Sequence, residues 1–63
     1  MMTMIQQMQR AMTTDDTLRG LLFEAELWRG LAATENAPDE LIAEAKRNAE
    51  SAYTRAVAHF NAN

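Results

Sequence analysis

The hexapeptide ENAPDE at residues 35–40 interrupts a chain that otherwise consists largely of helix-forming residues. Proline fits the first turn of a helix because its missing N–H would have no partner there, and the acidic residues after Pro38 suit the positive end of the helix dipole. Ala, Leu, Glu, Gln, Met and Arg dominate on either side, without the apolar–polar alternation of strands. The hexapeptide therefore predicts a tight turn between a first long helix over residues 14–34 and a second over residues 38–60.

The short turn predicts how the two helices pack. Helices of about 20 residues with so short a connection are expected to fold back on each other as an antiparallel hairpin, an all-α fold. Thr13 and Asp16 have the spacing of a capping box, which marks the start of the first helix. Asp15 lies four residues before Arg19, a spacing that favours an ion pair on a helix. The whole chain is thus expected to form one small helical domain.

The second helix carries a stripe of alanines at successive spacings of four, three and four residues. Side chains this small let a neighbouring helix approach toward the near end of the usual range of about 8–10 Å between axes. The alternative is that alanine occurs here only because it is a strong helix former. The sequence predicts a helix-packing seam of Ala45, Ala49, Ala52 and Ala56.

The first helix has two apolar faces. One face holds Leu18, Leu21, Leu22, Ala25, Trp28 and Ala32. The other face holds large side chains at i, i+4 and i+8, with a glycine on the same line, and a single antiparallel neighbour can cover only one such face. A second copy of the chain would cover it in a four-helix bundle; the N-terminal arm and a foreign protein are the alternatives. The predicted oligomer interface, which favours a dimer, comprises Gly20, Phe23, Leu27 and Leu31.

Two further segments are candidates for contact with a partner. The arm at residues 1–12 carries methionines at helical spacing, and flexible methionine side chains recur on adaptable binding surfaces. The alternative for this arm is a frayed terminus, since so short a helix is not stable alone. Acidic residues cluster around the turn and could meet a basic protein. The possible partner surface comprises Met4, Met8, Met12, Glu35, Asp39, Glu40 and Glu44.

Length and composition exclude several classes of function. The 63 residues include six Lys plus Arg against nine Asp plus Glu, for a net charge of -3, and no cysteine. Domains of this size usually need disulfides, a metal or oligomerisation, and with one histidine and scattered carboxylates only oligomerisation is left. No cofactor, metal site or enzymatic motif is expected. The net negative charge argues against nucleic acid as a partner. No apolar run reaches the length of about 20 residues that spans a bilayer, so a cytoplasmic protein without a membrane partner is expected.

The size, the acidity and the layout of helical residues 18–32 and 41–60 resemble the short helical proteins encoded between exo and xis in lambdoid phages, a region implicated in diverting host growth. This resemblance implies a small regulatory protein of phage or mobile-element origin that acts on a host or phage protein. The alanine stripe also resembles the plasmid copy-number regulators that bind RNA loops as dimers of helical hairpins. The exposed Lys/Gln/Phe strip with which those regulators read RNA has no counterpart here, which argues against RNA binding. An RNA- or DNA-binding regulator is therefore the alternative function and not the first.

Overall fold

The computed structural model describes residues 1–62, and all regular structure in this range is helical. Helix α1 spans Met4–Ala11, α2 spans Asp16–Ala32 and α3 spans Asp39–Ala62. The predicted all-α class is therefore confirmed. The two long helices begin and end within two residues of their predicted limits, which is the usual uncertainty of helix ends.

The capping box of the molecule lies at the start of α1. The Thr3 hydroxyl accepts a hydrogen bond from the backbone N–H of Gln6 at 3.2 Å, and the Gln6 side chain accepts one from the backbone N–H of Thr3 at 2.9 Å. These reciprocal bonds satisfy two N–H groups that have no partner within the helix. The Met-rich arm therefore contains a helix, α1, whose first turn is capped by Thr3.

The capping box predicted for Thr13 and Asp16 is wrong. The N-cap of α2 is Asp15, whose carboxylate accepts a hydrogen bond from the backbone N–H of Leu18 at 3.0 Å. The Thr13 hydroxyl instead donates to the carbonyl of Arg10 at 2.8 Å. Thr13 therefore lies just beyond the end of α1, where its hydroxyl serves a carbonyl that the helix end leaves without an intrahelical donor.

The turn between the long helices has a left-handed residue. Asn36 has φ 66°, a conformation that asparagine tolerates better than most residues other than glycine. Pro38 lies just before α3, and its carbonyl accepts a hydrogen bond from the N–H of Ile42 at 3.1 Å. Residue 38 thus precedes the helix, whose acidic first turn contains Asp39 and Glu40.

Helices α2 and α3 pack along each other through small side chains. Ala25 of α2 is fully buried, and the alanines that α3 buries are at most 8% exposed. Burial of such small groups requires close approach of the two backbones. The buried alanines of α3 are Ala45, Ala49, Ala52 and Ala56.

Helix α1 packs at the end of the molecule where α2 begins and α3 ends. Met8 is only 4% exposed, and it forms a cluster with Leu18 of α2 and Ala56 of α3. Leu18 is fully buried in this cluster. The arm therefore contributes a side chain to the core: Met8, which the sequence placed on a possible partner surface, is largely covered by the chain's own helices.

Candidate interaction surface

A row of large apolar side chains lies on an exposed face of α2. Phe23 is 65% exposed, Leu27 is 59% exposed and Leu31 is 36% exposed. Gly20 is also exposed, and a Cβ added there would meet no atom within 4 Å. We call these four residues the α2 row. Neither α3 nor α1 covers it, so within one chain these side chains contact water.

A groove of about 740 Å³ lies beside the α2 row. Its lining comes from all three helices and includes both apolar and polar side chains. Phe23 belongs both to this groove and to the α2 row, which makes the two surfaces continuous. The apolar lining residues are Met4, Ile5, Met8, Met12, Leu22, Phe23 and Val57, and the polar lining residues are Gln9, Arg19, Glu26 and Tyr53.

One arginine fixes the connection beside this groove. The Arg19 guanidinium donates to the carbonyl oxygens of Met12 at 3.0 Å and Thr13 at 3.2 Å, and it pairs with Asp16 at 2.9 Å. These bonds tie the segment after α1 to the first turn of α2. The ion pair predicted between Asp15 and Arg19 is therefore wrong, because Arg19 is engaged by Asp16 and by backbone carbonyls.

Two glutamates of α2 reach α3 from opposite sides. Tyr53 donates its hydroxyl proton to Glu26 at 2.8 Å, and the Arg55 guanidinium contacts Glu24 at 3.3 Å. Exposed ion pairs such as that of Arg55 contribute at most about 1 kcal/mol. These contacts define the register of α2 against α3 more than they stabilise it.

Asp15 joins the two ends of the long helices. One carboxylate oxygen caps α2, and the other lies 2.9 Å from Nε2 of His59 in the last turn of α3. The hydrogen bond from the Leu18 N–H, followed by the bond and charge of His59, lowers the pKa of Asp15 below its ordinary value of 3.8. Asp15 and His59 lie 44 positions apart, so no local spacing in the sequence connects them.

The structure brings the predicted methionines together, since Met4, Met8 and Met12 all line the groove, but it does not bring them together with the acidic residues. Met4 is 42% exposed, and Met12 is half-buried beside the core. The acidic residues lie around the turn, at the far end of α2 from α1, and all four are exposed. They are Glu35, Asp39, Glu40 and Glu44. Sequence reasoning missed the groove, because it forms only where three helices meet.

Residues 1–62 contain neither a cluster of metal-binding side chains nor a membrane-spanning helix. No group of three or more His, Cys, Asp or Glu side chains in this range could hold a metal ion. Within the same residues, none of the three helices is both long enough and apolar enough to cross a membrane. Among the surface features of residues 1–62 are the α2 row, the groove and the acidic residues around the turn.

Neither a protein-family model nor a curated protein nor a solved structure matches this chain.

Proposed function

We propose that this chain is a small, non-enzymatic regulatory protein that acts through protein–protein contacts. In this proposal the long helices form an antiparallel hairpin, and two hairpins associate through the α2 row into a four-helix bundle. The resemblance to small phage proteins extends the proposal to a phage or mobile-element origin and to a host or phage protein as the partner.

The exposure of the α2 row is the observation that carries this proposal. The row has three large apolar side chains, one on each successive turn of α2. The most exposed of them, Phe23, retains 65% of its accessible surface. Monomeric proteins seldom expose contiguous apolar patches, and such patches mark sites of protein association. The groove next to Phe23 offers a second apolar surface, which would remain for a protein partner.

Sedimentation equilibrium over the micromolar range tests self-association. We expect the wild-type chain to have a mass above 7.1 kDa, and we expect Leu27→Glu to lower that mass because a charge cannot be buried unpaired in an apolar interface. Ser51→Glu, at an exposed position of α3, is the matched control and should leave the mass unchanged. A folded wild-type monomer at every concentration would refute the proposal.

A further inference from the structure

We infer that the occupant of the α2 row is a second copy of this chain, with the two α2 helices antiparallel about a two-fold axis at Leu27. This inference rests on the self-association proposed above and adds its geometry. The axis, the direction of the helices and the residue pairs across the interface each follow from a different observation.

The surface area of the chain favours a second copy as the occupant. The accessible surface is 4771 Å², whereas a monomeric protein of this mass is expected to expose roughly 4,100 Å². The excess of roughly 700 Å² is close to the area of about 800 Å² that each partner loses in a standard interface. The chain alone therefore exposes more surface than a compact monomer of its mass, by about the area that one side of a standard interface covers.

The shape of the chain leads to the same conclusion. Its radius of gyration is 13.0 Å and its extents are 38 × 20 × 18 Å, whereas a compact domain of this length has a radius of gyration of roughly 11 Å. If a second elongated molecule packed alongside α2, the dimer would have a smaller ratio of length to width than one chain. Side-by-side packing along the helix therefore restores the compactness that one chain lacks.

The position of Leu27 sets the axis. It lies midway along the three large side chains of the α2 row, with Phe23 four residues before it and Leu31 four residues after it. A two-fold interface is self-complementary, so a contact from one residue to a second is repeated in reverse. With the axis at Leu27, antiparallel helices place Phe23 against the partner's Leu31 on both sides.

Charge sets the direction of the helices. The turn end of the chain exposes the four carboxylates named above, and parallel helices would bring both sets together, which costs free energy through repulsion. Antiparallel helices place each acidic turn beside the other copy's α1 end. There Arg10 and Arg19 balance the charges of Asp15 and Asp16. The antiparallel arrangement thus avoids the repulsion.

The absence of cysteine from the sequence allows a direct test. Leu27→Cys places two thiols across the proposed axis, within the distance of about 7 Å between Cα atoms that a disulfide allows. Under mild oxidation we expect the 7.1 kDa band on a non-reducing gel to shift to twice that mass. Ser51→Cys is the matched control and should stay at the lower mass. For the direction, mixed Phe23→Cys and Leu31→Cys chains should cross-link with each other faster than either does with itself.

A second readout keeps the apolar row intact. Leucine is replaced by a photoreactive diazirine analogue, and cross-linked peptides are identified by mass spectrometry. We expect a link from Leu31 to the partner's Phe23; a link from Leu31 to the partner's Leu31 would indicate parallel helices and overturn the inference. Links from Leu27 to α1 of the same chain would show that the arm covers the row, with the same consequence.

Sedimentation equilibrium of the wild-type chain separates the two proposals. A dimer without either expected cross-link overturns the geometry inferred here and leaves self-association standing. A monomer overturns both.

Discussion

The two apolar faces of α2 differ in what covers them. The face toward α3 meets a stripe of alanines and is closed within one chain, whereas the α2 row carries a phenylalanine and two leucines and remains open. Small side chains permit close approach of two helices, and large exposed ones provide apolar area. The comparison teaches that α2 uses one face for folding within the chain and the other face for association with another molecule. Mutations on the two faces can therefore change folding and association separately.

The largest expected effect compares one leucine from each face. Leu18→Ala should cost about 2–5 kcal/mol of unfolding free energy, because Leu18 is fully buried against Met8 and Ala56. Leu27→Ala removes the same atoms from an exposed position, and its cost should depend on protein concentration because it acts through association. Thermal unfolding at several concentrations measures both. If the cost of Leu27→Ala did not change with protein concentration, Leu27 would act within one chain, and the assignment of the two faces to folding and to association would be wrong.

The next effect tests how tightly the alanine stripe is packed. Ala52 is fully buried, so Ala52→Leu should lower the unfolding free energy by about 1–3 kcal/mol through overpacking. Ala58 is exposed on the same helix, and Ala58→Leu should change it by no more than about 0.5 kcal/mol. Urea denaturation of the two variants gives the comparison. Equal values would mean that α2 and α3 are farther apart than the structure places them.

The unfolding free energy is expected to depend on pH through Asp15, the N-cap of α2. The pKa of Asp15 is below its ordinary value of 3.8 in the folded chain, so the folded state binds a proton less readily than the unfolded state. The resulting stability is present above pH 3.8 and is lost as the pH falls through the lower folded pKa. Asp15→Asn retains a good helix cap but does not ionise.

Urea midpoints of the wild type and Asp15→Asn measure this effect. The wild type should have the higher midpoint at about pH 6, and the gap should close toward about pH 2. A gap that stays constant with pH would show that the ionised carboxylate of Asp15 adds nothing beyond its role as a cap.

The smallest effect concerns the two glycines of α2. A Cβ at Gly20 or Gly30 meets no atom within 4 Å, so Gly30→Ala should stabilise the chain by about 0.5–1 kcal/mol through helix propensity. Gly20→Ala should give the same gain in helicity, but it should also weaken dimerisation if the second copy approaches closely there. Circular dichroism and sedimentation equilibrium measure the two quantities. Identical dimer affinities for both variants would remove Gly20 from the interface.

Periodicity in the sequence predicted the helical class and the residues that share each face of α2, because both depend on spacing along one helix. The Phe23, Leu27 and Leu31 positions follow from the same spacing. Contacts between distant segments were not predictable in this way. The bond between Asp15 and His59, the burial of Met8 and the groove all depend on how α1 meets the other helices, and a local pattern carries no information about that meeting.

The carboxylate of Asp15 has a consequence for the order of folding. The Asn36 turn joins neighbouring helix ends at a low entropic cost, whereas the contact of Asp15 with His59 closes a segment of 44 residues. We expect α2 and α3 to pair from the turn outward and to form this contact late. Met8 can dock on Leu18 and Ala56 only after these two residues have become adjacent. Helix α1 should therefore be the last element to fold and the first to detach.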